Sequence, residues 1–197
     1  MSKHLKTPLL ILLIPVLLVL FALIHETGHT LLARWFGDPN STFYLMKIDE
    51  SGECLGCTIT DHSKLSDSGN LWVSLGGLLF TQISAVALLL LGAWMKTDFF
   101  PKSSLGKIGL TFAFLDVSVQ LVQGLAYDIS KHVFPTGVDM MDFILLTSKT
   151  TGLGQSSLKA GLTIVAVFYL IGVLRLYTYS IRKLPPEFRK SDDDKET

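Results

Sequence analysis

His25, Glu26 and His29 are the residues best suited to chemistry in this chain, and they fall within five positions of one another in FALIHETGHTLLARWF. On a helix, positions four apart share a face, so the two imidazoles can reach one metal ion. The Glu26 carboxylate sits beside the first of them, where it can take a proton from a water at the metal. This HExxH arrangement suits zinc-dependent hydrolysis. It closes a long apolar run that opens PLLILLIPVLLVL. Ionisable groups in such a run are expensive in lipid and point to function. A blander reading is that HETGH marks only the lipid–water boundary at a helix end, since TLLARWF stays amphipathic.

A catalytic zinc takes three protein ligands and leaves a position for water. Two histidines therefore require a third ligand from elsewhere, and Asp116, Asp128, His132, Asp139 and Asp142 are the candidates. Asp116 is followed at helical spacing by Gln120, Gln123 and Tyr127, a polar stripe that must face protein rather than lipid. Asp139 lies in FPTGVDMMDF, where Pro135 and Gly137 bend the chain and non-helical backbone can line a buried cavity.

The elements that must position these residues follow from hydropathy. Of the 197 residues 49% are hydrophobic and 17% charged, with a mean hydropathy of +0.45. That is too apolar for an ordinary soluble domain. Four segments reach the roughly 20 residues needed to cross the hydrocarbon core: Pro8 to Phe36, Leu71 to Met95, Ile108 to Tyr127 and Leu158 to Ile181. Lipid demands internally satisfied backbone, so they are expected to be helices. A cleaved signal peptide fits the first poorly, because the apolar stretch is long and no small-residue cleavage site follows it. Between the first two spans, STFYLMKIDESGECLGCTITDH predicts a β-hairpin turning near ESGE, with room for a third strand. The expectation is an all-α polytopic membrane protein of about four transmembrane helices with a small membrane-associated β-hairpin segment after the first. Residues 1–184 form a single membrane-embedded domain, and residues 185–197 a polar, disordered tail. Water must reach a buried metal, so a polar cavity is expected between the first three helices.

On these residues the chain resembles the site-2-protease family of intramembrane zinc metalloproteases. The order is HETGH, a hairpin segment, LGGLLFTQ, then VQGLAYDISKHVFPTGVDMMDF. The resemblance covers the chain from the first helix to about Asp142. It implies His25 and His29 as zinc ligands, Glu26 as the catalytic base, and Asp139, four residues after Pro135, as the third ligand. The family's Leu-Asp-Gly is absent, and Lys131 stands where its asparagine is expected. The implied cofactor is Zn2+, and the implied substrate is a membrane-anchored protein cut in or near a transmembrane segment. Such a target must unwind, and an edge strand within Phe43 to Thr60 can pair with it. Gly77 and Gln82 are candidate substrate contacts, although small residues also serve helix packing.

The remaining features bound the reading. Basic and acidic residues balance at 17 each, which gives no electrostatic case for a nucleic-acid partner. Cys54 and Cys57 are too few for a disulfide framework and predict a local disulfide or two inert thiols. Four spans put both termini on one side with 11 of the 17 basic residues, so the positive-inside rule makes the termini cytosolic and turns HETGH outward. The family's usual arrangement, with the site nearer the cytosol, implies the opposite. Besides an endopeptidase, the residues are compatible with a multipass membrane protein that uses a metal site for metal handling or partner binding. A multipass structural subunit with a fortuitous HETGH is the third class.

Overall fold

A segment in lipid has no water to satisfy its N–H and C=O groups, and the apolar stretches of this chain answer that demand as helices. The computed structural model describes residues 3–49, 52–94, 102–126 and 139–182. Along the chain come α1 (Lys3–Phe36), β1 (Thr42–Asp49), β2 (Gly52–Ile59), a 3-10 turn (His62–Lys64), α2 (Asp67–Trp94), α3 (Lys102–Leu125), α4 (Asp139–Thr151) and α5 (Gln155–Arg182). Four helical stretches, Pro15–Phe36, Asp67–Gly92, Leu105–Leu125 and Gln155–Tyr179, are long and apolar enough to cross a membrane. With its 13 residues α4 rises only about 20 Å, short of the roughly 30 Å core. The sequence predicts a bent loop around Asp139, whereas the structure makes Asp139 the first residue of a helix. Pro135, Gly137 and the tail from residue 185 lie outside the described residues. The predicted hairpin forms with two strands, antiparallel, from Thr42↔Ile59 to Asp49↔Gly52, and no third strand joins it among the described residues.

Between helices in lipid there is little hydrophobic driving force, so close packing must come from small residues. Gly28 of α1 and Gly76 of α2 meet backbone to backbone: a Cβ on Gly76 would stand 2.8 Å from the Gly28 carbonyl oxygen. Gly109 of α3 likewise fits against the Ala85 carbonyl of α2, where a Cβ would come within 2.6 Å. Below these contacts Ala85, Leu89, Phe112, Ala113 and Val173 form an apolar cluster, and above them Ala33, Leu65 and Val73 form a smaller one. The outermost helix is α5, whose Ile164, Val165 and Phe168 are exposed. Such an apolar outer face suits lipid rather than water. Trp35 and Trp72, also exposed, sit where α1 ends and α2 begins, the level at which an aromatic belt meets the membrane surface.

The hairpin is tied to the end of α1. Gly37, at φ +135°, turns the chain out of the helix, and the N–H groups of Gly37 and Asp38 both donate to the Ala33 carbonyl. Buried Asp38 then accepts from the Asp61 N–H at 2.8 Å and the Asn40 N–H at 3.3 Å, with Lys64 Nζ 3.4 Å away. Arg34 Nε donates to the Ser41 carbonyl at 2.8 Å. These bonds, led by the Asp61 N–H, hold the Asp38 carboxyl below its usual range.

Two predictions follow from this packing. Gly76→Ala should force α1 and α2 apart and lower stability by about 1–3 kcal/mol, read from thermal unfolding in detergent. For Asp38, a depressed folded pKa means a contribution that is complete above about pH 4 and fades as pH falls through the depressed value. The Tm gap between wild type and Asp38→Asn should therefore be open at neutral pH and close in acid. A gap that widens in acid would contradict the assignment.

Candidate metal centre

His25 and His29 lie one helical turn apart on α1, and both rings point at α2. The His29 Nδ1 is 2.6 Å from the Val73 carbonyl oxygen. A carbonyl can only accept, so Nδ1 carries the proton and Nε2 keeps its lone pair. For His25, Nδ1 lies 3.4 Å from Asp116 Oδ1 and 3.4 Å from Thr81 Oγ1. The Thr81 hydroxyl donates to the Gly77 carbonyl at 2.9 Å, so its oxygen accepts from His25. Both neighbours make Nδ1 the donor, so the Nε2 lone pair points away from them toward Asp139. The rings are 4.9 Å apart at 68°, close enough for both Nε2 atoms to converge.

They converge on Asp139. Its Oδ2 is 3.4 Å from His25 Nε2 and 3.2 Å from His29 Nε2, and the three ligand atoms all lie within 4.8 Å of one another. This group could hold a metal ion. Two ligands at about 2.0–2.1 Å from one tetrahedral ion stand about 3.3 Å apart, which matches the distances from Asp139 Oδ2 to the two imidazole nitrogens. The buried His29 Nε2 has no hydrogen-bond partner, even with the carboxylate at that distance. An orphaned acceptor beside a carboxylate oxygen is a poor hydrogen-bonding arrangement and a good pair of ligands. Asp139 opens α4, where the free N–H groups of the first turn favour its anion.

Glu26 is held from another direction. Thr58 of β2 donates to Glu26 Oε2 at 2.8 Å, and its hydroxyl also lies 3.1 Å from the Glu26 carbonyl and 3.2 Å from Thr30 Oγ1. Gly56, at φ +68°, brings the strand backbone over α1; a Cβ there would stand 3.6 Å from Glu26 Oε1. The hairpin thus lies across the carboxylate that follows the first histidine.

The other candidates divide clearly. Asp142 is exposed, and Asp128 and His132 lie outside the described residues. Asp116, Gln120 and Gln123 are all buried, so the polar stripe of α3 faces protein. Asp116 meets the Nδ1 side of His25, opposite the atom that faces Asp139. Gln82 has both amide atoms engaged within the protein, donating to Asp116 Oδ2 at 3.1 Å and accepting from Tyr169 at 2.8 Å. Gly77 gives room to the His25 ring, which a Cβ would overlap. Cys57 is in a disulfide. A cavity of about 290 Å³ lies beside the centre between α2, α3, α4 and α5, with a lining that includes Leu78, Val117, Met140 and Ala166. The surface that lines it is apolar, so it is not the polar cavity expected between the first three helices. Val73, Thr81, Thr58 and Tyr169 escaped the sequence reading; a carbonyl has no sequence signature, and the three hydroxyls lie far along the chain from the motif.

Gly77→Ala should displace the His25 ring and weaken metal binding while leaving the helices formed. Asp139→Ala should weaken it by at least tenfold by removing a ligand. Metal content of the purified full-length variants after dialysis against a weak chelator checks both; wild-type occupancy in Asp139→Ala would remove it from the ligand set.

No protein-family model matches this chain, nor does any curated protein or solved structure, so the side-chain geometry itself must support a functional reading.

Proposed function

We propose that the chain is an intramembrane zinc endopeptidase of the site-2-protease kind, hydrolysing a peptide bond in or near a transmembrane segment of a membrane-anchored substrate. The observation that carries this reading is the convergence of His25 Nε2 and His29 Nε2, on a helix long and apolar enough to cross a membrane, with an Asp139 oxygen from the short helix α4. Depth supports it as well. Trp35 lies ten and six residues beyond the two histidines. That separation puts the centre about 9–15 Å along the axis from the belt, within the hydrocarbon core.

His25, His29 and Asp139 would hold a zinc ion, which would supply Lewis acidity toward a water and a substrate carbonyl. Glu26 is the proton carrier. It is not among the converging ligands, and its Oε2 is oriented by Thr58. It accepts the proton of the attacking water and returns it to the leaving amine. Val73, Thr81 and Asp116 keep the histidine Nδ1 protons in place, so both Nε2 atoms stay available. Among the described residues no third strand pairs with the hairpin, so an unwound substrate can add along its edge as a further strand. The basic residues on the side of the termini favour a cytosolic placement of both ends.

Glu26→Gln should retain metal and fold but lose about 10²–10⁴-fold of peptide cleavage, measured on a reconstituted membrane-anchored peptide library. Wild-type cleavage by that variant would remove Glu26 from the chemistry. Absence of bound metal in the wild type would overturn the proposed function.

A further inference from the structure

Asp116 is a buried charge that the proton transfers above do not use. It is 1% exposed in the middle of α3, in a stretch apolar enough to cross a membrane. A carboxylate there is costly unless its charge is answered and its lone pairs are filled. Both of its oxygens have partners. Oδ1 faces His25 Nδ1 at 3.4 Å, and Oδ2 accepts from Gln82 Nε2 at 3.1 Å. Gln82 Oε1 in turn accepts from the Tyr169 hydroxyl at 2.8 Å. The chain Tyr169–Gln82–Asp116–His25 therefore joins α5, α2, α3 and α1 and ends on a metal-facing imidazole.

The two histidines are treated differently. His29 donates its Nδ1 proton to a neutral main-chain carbonyl. For His25 the equivalent carbonyl on α2, that of Gly77, is already taken by Thr81, and a carboxylate stands in its place. A carboxylate on the far nitrogen fixes the tautomer and makes the near nitrogen a better donor to metal. It also answers charge: two neutral imidazoles and Asp139 leave a divalent cation one unit positive, and Asp116 supplies another negative charge one ring away.

We propose that Asp116 is a positioning residue for the metal, holding His25 with Nε2 as its ligand atom and contributing charge to the centre, with Gln82 and Tyr169 holding Asp116 in turn. This rests on reading His25, His29 and Asp139 as a metal site.

The test is zinc affinity of full-length protein in detergent, by competition with a chromophoric chelator, together with the visible absorption of the Co2+-loaded form. Asp116→Asn keeps shape but removes the charge and should bind zinc about 10–100-fold more weakly, with a shifted Co2+ spectrum. Asp116→Glu should recover part of the loss, and Tyr169→Phe, remote from the metal, should show a smaller one. If Asp116→Asn proves unfolded, the Glu and Phe variants decide: unchanged affinity and spectrum in both overturns the proposal. Zinc affinity within twofold of wild type and an unchanged spectrum in folded Asp116→Asn also overturns it, while leaving the metal centre intact. A wild type that binds no metal overturns this inference and the metal centre together.

Discussion

The backbone contact between Gly28 and Gly76 is the constraint on which the candidate centre depends. It lets α1 and α2 run antiparallel at a distance no side chain would permit. In that register each turn of α1 meets a turn of α2: His25 falls opposite Gly77, and four residues later His29 falls opposite Val73. Gly77 leaves space for one ring, and the Val73 carbonyl accepts from the other. The helix period alone puts two imidazoles on one face. The neighbouring helix fixes which nitrogen each presents, and a metal needs the second condition as much as the first.

The centre is also a polar layer between two apolar ones. On one side lie Ala85, Leu89, Phe112, Ala113 and Val173, and on the other Ala33, Leu65 and Val73. Polar groups in such a layer are tolerable only when they satisfy one another. Asp116, Gln82 and Tyr169 do so by hydrogen bonds. The His29 Nε2 is left over, beside a carboxylate oxygen. Gln120 Oε1 and Gln123 Oε1 on α3 are likewise buried without a partner, but only the His29 nitrogen stands beside a second histidine nitrogen and a carboxylate oxygen, the donor set a cation takes.

Much of this was legible in the sequence because two periodicities are strong there. Long apolar runs marked the four helices long enough to cross a membrane, and the i, i+4 histidines marked two of the three side chains that converge. The alternation around ESGE located the hairpin, since TFYLMKID and GECLGCTI pair in a constant register. The short helix α4 was not legible. Asp139 reads as part of a bend because Pro135 and Gly137 precede it, and its 13-residue helix carries Asp142, Ser148 and Lys149 among its apolar residues. Gln82 and Gly77 illustrate a different limit. Sequence identifies an amide and a small residue near the centre, but only the crossing of α1, α2 and α3 decides what they touch. Gln82 meets Asp116 rather than open space, and Gly77 meets His25.

On the proposed reading, the ligands and the base are held by different parts of the molecule, and this separation has a chemical consequence. His25, His29 and Asp139 are fixed by α1, α2 and α4 within the bundle. The Glu26 carboxylate is oriented by Thr58 on the hairpin, which is anchored through Arg34 in the last turn of α1 and through Asp38 and Ser41 beyond it. A base must stay mobile enough to take a proton at one atom and release it at another, whereas ligands must not move. If Glu26 acts as the proposed base, its side-chain hydrogen bond to Thr58 on the hairpin, set against ligands placed on packed helices, matches that division of tasks. No third strand pairs with the hairpin among the described residues, so under the proposed function a peptide strand added there would lie on the element that orients Glu26.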